Sequence, residues 1–173
     1  MNKKAQTFTL EGVASALILL VALYTLYQSS LVISPMWNEA VNMQMKMIAQ
    51  DTLKILDNPK KEGEEYYLDS LQGMITNLRN CQLGVDCKPN DKFMEALEIL
   101  LSSRGFDYRL ELHWVEGDRI NSTVLIDKKP SPNAVAASRY ILLMKNEILG
   151  SSFSGLQLYD PVIFEVRLIV WRP

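Results

Sequence analysis

The longest pattern in the chain is a run of 26 residues without a formal charge, from Gly12 to Trp37. As a helix it would measure about 39 Å, whereas the hydrocarbon core of a bilayer is about 30 Å thick. The run therefore predicts a transmembrane helix. Two alternatives are a buried core helix and a cleaved secretory signal, although the apolar region of such a signal is only about 7 to 15 residues long.

Helical spacing continues beyond this run and predicts that the first helix extends to about residue 57 as a stalk. The stripe consists of Trp37, Val41, Met45, Ile48, Thr52, Ile55 and Leu56. Four of the eight methionines lie between residues 36 and 47. Because Met-rich surfaces adapt to partners, the stripe either rests on the protein's own domain or also meets a neighbouring subunit. Asn58-Pro59 and Gly63 are helix breakers.

Two further helices are predicted after this stop. The segment "EEYYLDSLQGMITNL", residues 64–78, places Tyr67 and four aliphatic or methionine side chains on one face. The segment "KPNDKFMEALEILLSSRG", residues 88–105, has Asn90 or Asp91 to cap its start and Gly105 to end it.

From Phe106 the apolar period changes from helical to two, which is typical of strands. Residues 106–114 and 120–127 are predicted as the first two strands. Residues 134–144 have helical propensity, but Tyr140 to Leu143 favours a strand. The last segment, "VIFEVRLIVWR", is apolar on both sides apart from Glu165 and Arg167, which predicts a strand that is central or covered by helix.

These elements predict an α+β fold: a long N-terminal transmembrane helix continues into a stalk and packs, with two further helices, on a four-stranded antiparallel sheet. Three regions follow: a leader and processing region at 1–11, the transmembrane helix and stalk at 12–57, and an extracytoplasmic α+β domain at 58–173. The loops at 128–133 and 145–160 are the expected contact points, because loops on a rigid sheet commonly carry recognition.

Composition and charge narrow the class of protein. The 173 residues are 48% hydrophobic and 22% charged, with a net charge of −2. No Lys/Arg cluster is longer than two residues, which argues against a nucleic-acid partner and against a polybasic lipid-binding patch. Lys3 and Lys4 precede the apolar run, so the N-terminus is expected in the cytoplasm of a single-pass protein of the cell membrane, with the C-terminal domain outside.

An external location makes a disulfide between Cys81 and Cys87 the favoured interpretation of "NCQLGVDC". Two free thiols are the alternative. A metal site is disfavoured, because the only histidine is distant in sequence and the gap between the cysteines is not a usual ligand spacing. Asn121 begins an N-glycosylation acceptor triplet, "NST".

The chain lacks motifs that carry catalysis or bind a nucleotide or a metal. Its single histidine, His113, lies on the polar side of a strand and is interpreted as a solvated side chain. We therefore expect no enzymatic activity, no catalytic or metal-binding residues, no cofactor and no small-molecule substrate.

Glu11 stands directly before the uncharged run. A carboxylate deep in a bilayer costs about 2.5 to 3.5 kcal/mol, and less near the interface. Glu11 is therefore either held among lipid headgroups or paired with a cation in the membrane, such as a new N-terminal amine created by proteolysis just upstream.

This N-terminus resembles that of type IV pilins, and in particular of archaeal pilin-like proteins with class III signal peptides. The resemblance rests on Lys3-Lys4-Ala5-Gln6, then Thr7-Phe8-Thr9-Leu10-Glu11, then the apolar run. More closely, the chain is similar to an uncharacterised group of archaeal membrane-anchored proteins. That likeness covers the "TLEGV" start, "PSPNAVAASRYILL" and the ending "VIFEVRLIVW".

The resemblance implies a structural subunit of a surface filament or secretion-type assembly, with membrane, prepilin-type peptidase and other pilin-like subunits as partners in a homo- or hetero-oligomer. The peptidase would recognise Lys3 to Thr7. Cleavage after Gln6 makes Thr7 the first residue and Glu11 the fifth, the family's usual place for this glutamate. Cleavage after Ala5 places one of the usual residues, Gly or Ala, directly before the cleaved bond, but it makes Glu11 the sixth residue. The alternative is an unprocessed single-pass protein whose outer domain binds other proteins.

Overall fold

The computed structural model describes the backbone of residues 3–59, 61–63 and 65–173. In the first helix it describes the side chains of residues 11–25, 27 and 39–56. The chain divides into two units, Met1–Val41 and Asn42–Pro173. Helix α1, Lys3–Leu56, contributes residues to both.

The predicted transmembrane helix is contradicted. Over the residues that the structure describes, no helix is both long enough and apolar enough to cross a membrane. The part of the apolar run whose side chains are continuously described, residues 12–25, is about 21 Å long, whereas a span needs about 30 Å. The remaining parts of the predicted fold are found, namely an α+β unit with a four-stranded antiparallel sheet.

The final turns of α1 bury one stripe in the core of the second unit. Its members are Met45, Ala49, Thr52, Leu53 and Leu56, all at most 4% exposed. Their spacing is that of one helix face. The predicted stripe was therefore partly right: it missed Ala49 and Leu53, and it included Ile55, which is 61% exposed. The helix ends at Leu56, directly before the predicted breakers.

The predicted second helix is wrong over its first half. Glu65–Tyr66 forms strand β2, which pairs with β1, Lys61–Glu62. Helix α2 spans only Leu71–Thr76. The side chain of Ser70 caps α2 by accepting a hydrogen bond from the Gly73 N–H at 3.0 Å. A serine side chain that bonds to nearby backbone groups favours the start of a helix over its interior.

The predicted third helix is confirmed. Helix α3 spans Asp91–Leu100, and the Asn90 side chain caps it by accepting from the Phe93 N–H at 3.0 Å. A short 3-10 turn, Ser102–Arg104, follows. Gly105 ends it with a φ of 78°, a left-handed conformation that favours glycine.

The main sheet has the strand order β4-β3-β6-β5, and every neighbouring pair is antiparallel. The strands are β3 Asp107–Glu116, β4 Arg119–Ile126, β5 Val135–Leu143 and β6 Val162–Trp171. The ambiguous segment at 134–144 is thus a strand, and the C-terminal strand is central as predicted. Its inward side chains are buried in the core, whereas its outward residues Ile163 and Arg167 are exposed.

The inner face of the sheet builds the core from alternate residues of β3 and β6. Trp114 of β3 and Phe164 of β6 both contact Phe153, with ring centroids 5.2 and 4.9 Å apart in edge-to-face arrangements. Phe153 lies in the 145–160 segment and is only 1% exposed. Ile148 and Leu158 of the same segment are also buried. Part of the predicted contact loop is therefore core.

Asp57 joins the end of α1 to two other elements. Its carboxylate accepts hydrogen bonds from Gln72 Nε2 of α2 and from Arg139 Nε of β5, each at 2.6 Å. The Asp57 side chain is only 16% exposed. Charge-assisted hydrogen bonds at such a site contribute more to stability than those of exposed pairs.

We expect Asp57→Ala to lower the free energy of unfolding by about 2 kcal/mol, because two donors lose their charged acceptor. The matched control is Asp127→Ala, since the Asp127 carboxylate pairs with Arg109 but is 77% exposed; its expected cost is below about 0.5 kcal/mol. Urea unfolding followed by tryptophan fluorescence measures both. Equal losses for the two variants would contradict the assignment.

Candidate assembly surface

The most unusual surface lies on α1 in the first unit. All described side chains of residues 11–25, and that of Tyr27, are exposed. Large apolar side chains dominate this segment, which we call the apolar segment (residues 12–27, described at 12–25 and 27). Those at least 59% exposed are Val13, Leu17, Ile18, Leu19, Leu20, Val21, Leu23, Tyr24 and Tyr27. They lie on all sides of the helix, a distribution typical of a helix that is covered all round in its working state.

Two hydroxyl groups of this segment bond to the backbone of the helix itself. The Ser15 hydroxyl donates to the Glu11 carbonyl oxygen at 2.9 Å, and the Thr25 hydroxyl donates to the Ala22 carbonyl oxygen at 2.8 Å. Such bonds allow hydroxyl side chains to enter an apolar environment without an external partner. The two hydroxyls therefore present no obstacle to covering the segment.

Glu11 is exposed and is the only charged residue between positions 11 and 25. No ion pair to its carboxylate is found among the described side chains. The predicted processing residues, Lys3 to Thr7, belong to α1 by their backbone, but their side chains lie outside the described residues. The predicted charge pairing and processing therefore stay predictions.

The predicted disulfide is confirmed. Cys81 and Cys87 are bonded, with their Cα atoms 5.0 Å apart. The closed loop lies between α2 and α3, as the sequence indicated. At its tip the Gly84 N–H donates to the Thr123 hydroxyl of β4 at 2.9 Å. The loop is therefore fastened both by its covalent bond and by the sheet.

Asn121 lies in β4, half-buried, and its side-chain amide donates to Glu116 Oε2 at 2.6 Å. A glycan would replace one of the two hydrogens on this nitrogen. Glycosylation stays a prediction. His113 differs from its predicted state, because its side chain is 22% exposed and its Nε2 lies 3.5 Å from Glu111 Oε2. The flanking strands β4 and β6 reduce its contact with water.

One cluster of ionisable side chains joins the β1–β2 hairpin to the 145–160 segment. Glu147 accepts from Tyr66 Oη at 2.9 Å, from Lys61 Nζ, and from the Met144 N–H at 2.9 Å. Burial pushes the pKa of Glu147 up, but these donors outweigh burial and the net pKa is lowered. The hydrogen bond to Glu147 raises the pKa of Lys61, and burial raises that of Tyr66. These shifts hold Lys61 protonated, Tyr66 neutral and Glu147 ionised, as each is at neutral pH in water. The cluster is therefore a structural contact between the hairpin and the 145–160 segment.

A cavity of about 660 Å³ lies between the hairpin and α3. Its charged lining is Glu62, Glu65, Asp69, Glu95 and Lys92. Across the described residues, no three acidic, histidine or cysteine side chains are placed to hold a metal ion. The carboxylates are therefore dispersed around an open, solvated groove.

The sequence did not reveal a second surface, the outer face of the sheet, which is opposite the core. At one end of this face four aliphatic side chains form a row across the strands, one from each strand. This apolar row consists of Ile120, Val115, Ile163 and Leu142, which are 78%, 40%, 51% and 61% exposed. In the sequence, this surface was indicated only by Ile163, an apolar residue at an outward position of the final strand.

The fold and the surfaces together define a class: an α+β protein with an extended, exposed apolar helix at its N-terminus. The chain belongs to a family of unknown function, DUF7288, whose model matches residues 4–159. It is 36% identical over 174 residues to an uncharacterized protein of Archaeoglobus fulgidus, and the match covers 99% of this chain and 94% of the relative. No solved structure matches the chain.

Proposed function

We propose that this protein is a structural, non-enzymatic subunit of a pilin-like archaeal filament or secretion-type assembly. In this assembly the apolar segments of neighbouring subunits bundle together. The observation that carries the proposal is the exposed apolar segment, which has no charged residue after Glu11. Moving one large apolar side chain out of water contributes about 1.5 to 3 kcal/mol, so covering this segment is strongly favourable.

Glu11 gives the bundle its register. Within a bundle of apolar helices an unpaired carboxylate is costly, and pairing it with a neighbour's amine permits only one axial offset between subunits. Proteolytic removal of the leader would supply that amine at Thr7 or Gln6. The resemblance of residues 3–11 to class III signal peptides supports this interpretation.

The disulfide supports an extracytoplasmic position for the second unit, because such bonds persist mainly in oxidising environments. Disulfides also persist inside the cells of some hyperthermophilic archaea. Protease added to intact cells therefore tests the location directly: digestion of residues 58–173 is expected, and resistance until the cells are opened would contradict it.

We expect Glu11→Ala to reduce the fraction of protein in high-mass assemblies at least about tenfold, because the register-fixing charge pair is lost. The matched control is Glu39→Ala, since Glu39 is the next acidic residue along α1 and is also exposed. Sedimentation and electron microscopy of cell-surface fractions measure the assemblies. If Glu11→Ala assembles as well as Glu39→Ala, the charge-pairing account is wrong.

A further inference from the structure

A second hollow adjoins the cavity between the hairpin and α3. It has a volume of about 260 Å³ and reaches Ile55 at the end of α1. Asp69, Ala96 and Ile99 line both hollows, so we describe the two together as the long groove. One face of α3, from Lys92 to Ile99, forms one of its walls, which is about 10 Å long.

The end of the long groove beside α1 is apolar. Ile55 and Ile99 line it and are 61% and 62% exposed. Ala96 and Leu100 complete this surface. Concave apolar surfaces with a few polar groups at their margin are typical of binding sites. This end therefore offers contacts to an apolar side chain of a ligand.

Carboxylates dominate the other end of the long groove. Glu62, Glu65, Asp69 and Glu95 line it, against the single ammonium group of Lys92. Among the described side chains, no ion pair to any of these five residues is found. Four negative charges and one positive charge give the long groove a net charge of −3, whereas the whole chain carries only −2. The surface therefore attracts cations and repels anions.

These two features together narrow the class of ligand. The carboxylates would repel nucleic acids and anionic lipid surfaces. A metal ion is disfavoured, because no group of three acidic, histidine or cysteine side chains in the described part of the chain is placed to hold one. A ligand that matches both ends of the groove carries cationic and apolar side chains on one backbone.

We propose that the long groove binds a short basic segment of a partner protein, in which an apolar side chain stands next to lysines or arginines. The apolar side chain packs on Ile55 and Ile99. The cations face Glu65, Asp69 and Glu95. A wall of about 10 Å accommodates about three residues of an extended peptide, and such a small contact is typical of weak, transient recognition.

The long groove contains no residue of the first unit. The proposal therefore stands independently of the bundling of the apolar segment, and failure of either leaves the other intact.

Fluorescence anisotropy of labelled peptides tests the ligand class on the full chain, kept in a non-ionic detergent that covers the apolar segment. The probe is the peptide GKKLKKG, which has cations on both sides of one leucine; detergent alone is the blank. We expect it to bind at least about fivefold more tightly than GKKSKKG, which lacks the apolar side chain. We expect no binding of GEELEEG, because its charges are reversed. Equal affinity of the leucine and serine peptides, no binding of either, or binding of the acidic peptide would overturn the proposal.

A pair of charge reversals on α3 tests the position of the cations. Glu95 and Glu98 are both exposed on the same helix, but only Glu95 lines the long groove. Glu95→Lys is expected to weaken binding of GKKLKKG at least about fivefold, and Glu98→Lys less than about twofold. Equal losses would show that the peptide responds to overall charge rather than to the groove, which would overturn the proposal.

Ile99→Ser tests the position of the apolar side chain. Because Ile99 is 62% exposed, this substitution leaves the core untouched. It is expected to remove the preference for GKKLKKG over GKKSKKG, while the affinity for the serine peptide changes less than about twofold. An unchanged preference would place the leucine elsewhere on the protein and would overturn the proposal.

Discussion

Leu20→Arg is expected to raise the protein concentration needed for assembly at least about 100-fold. Leu20 is 66% exposed in the middle of the apolar segment, where the proposed bundle would surround it with apolar side chains. A guanidinium buried there without a partner costs several kcal/mol, and each 1.4 kcal/mol is a factor of ten. Sedimentation of the purified chain without its leader, beginning at Thr7, over a range of concentrations measures the effect.

The control for this variant is Val85→Arg. Val85 is also a solvent-exposed aliphatic residue, 73% exposed, but it lies in the disulfide-closed loop. Its substitution changes net charge by the same amount without touching α1. Equal loss of assembly in both variants would mean that charge repulsion dominates, and it would contradict burial of the apolar segment.

Phe153→Ala is expected to lower the free energy of unfolding by about 4 kcal/mol. Phe153 is 1% exposed and fills the space between Trp114 and Phe164. Deleting a buried aromatic ring loses its transfer free energy and leaves a cavity. Urea unfolding followed by tryptophan fluorescence is well suited, because the buried Trp114 reports on this region directly.

Tyr159→Ala is the matched control, because Tyr159 belongs to the same segment but is 59% exposed. Its expected cost is below about 1 kcal/mol. A small loss for Phe153→Ala would show that the 145–160 segment can leave the core, and that it is a displayed loop as the sequence first suggested.

The elements that the sequence predicted correctly are those with strong local signals. Asn90 caps α3 and Gly105 follows it, and both residue types act on the backbone next to them. Strict alternation along β3 indicated a strand with one buried face. In each of these cases the information lies within about ten residues of the feature. The Cys81–Cys87 bond was instead predicted from an even pair of cysteines together with an expected external location.

The features that the sequence missed depend on distant residues. Phe153 lies in a Gly/Ser-marked segment, and only its contacts with β3 and β6 make it core. The second helix is an exception, because its late start is set locally, by the pairing of Glu65–Tyr66 with the nearby β1 and by the Ser70 cap. The outer face of the sheet required the register of four strands, which no single segment encodes.

The transmembrane prediction failed for a different reason. A long uncharged run shows that a segment is apolar. It does not show whether lipid or protein covers its side chains. The structure describes the apolar side chains of residues 11–25 as exposed on a helix too short over that range to span. We therefore propose that neighbouring subunits cover these side chains.

The mass of the native N-terminus, measured on protein isolated in its assembled form from its own cells, tests the filament account most directly. The account predicts a chain that begins at Thr7 or Gln6 and is recovered in a high-mass assembly. A chain that retains Met1, or has lost only the initiator methionine, and that is recovered as a small complex would contradict it.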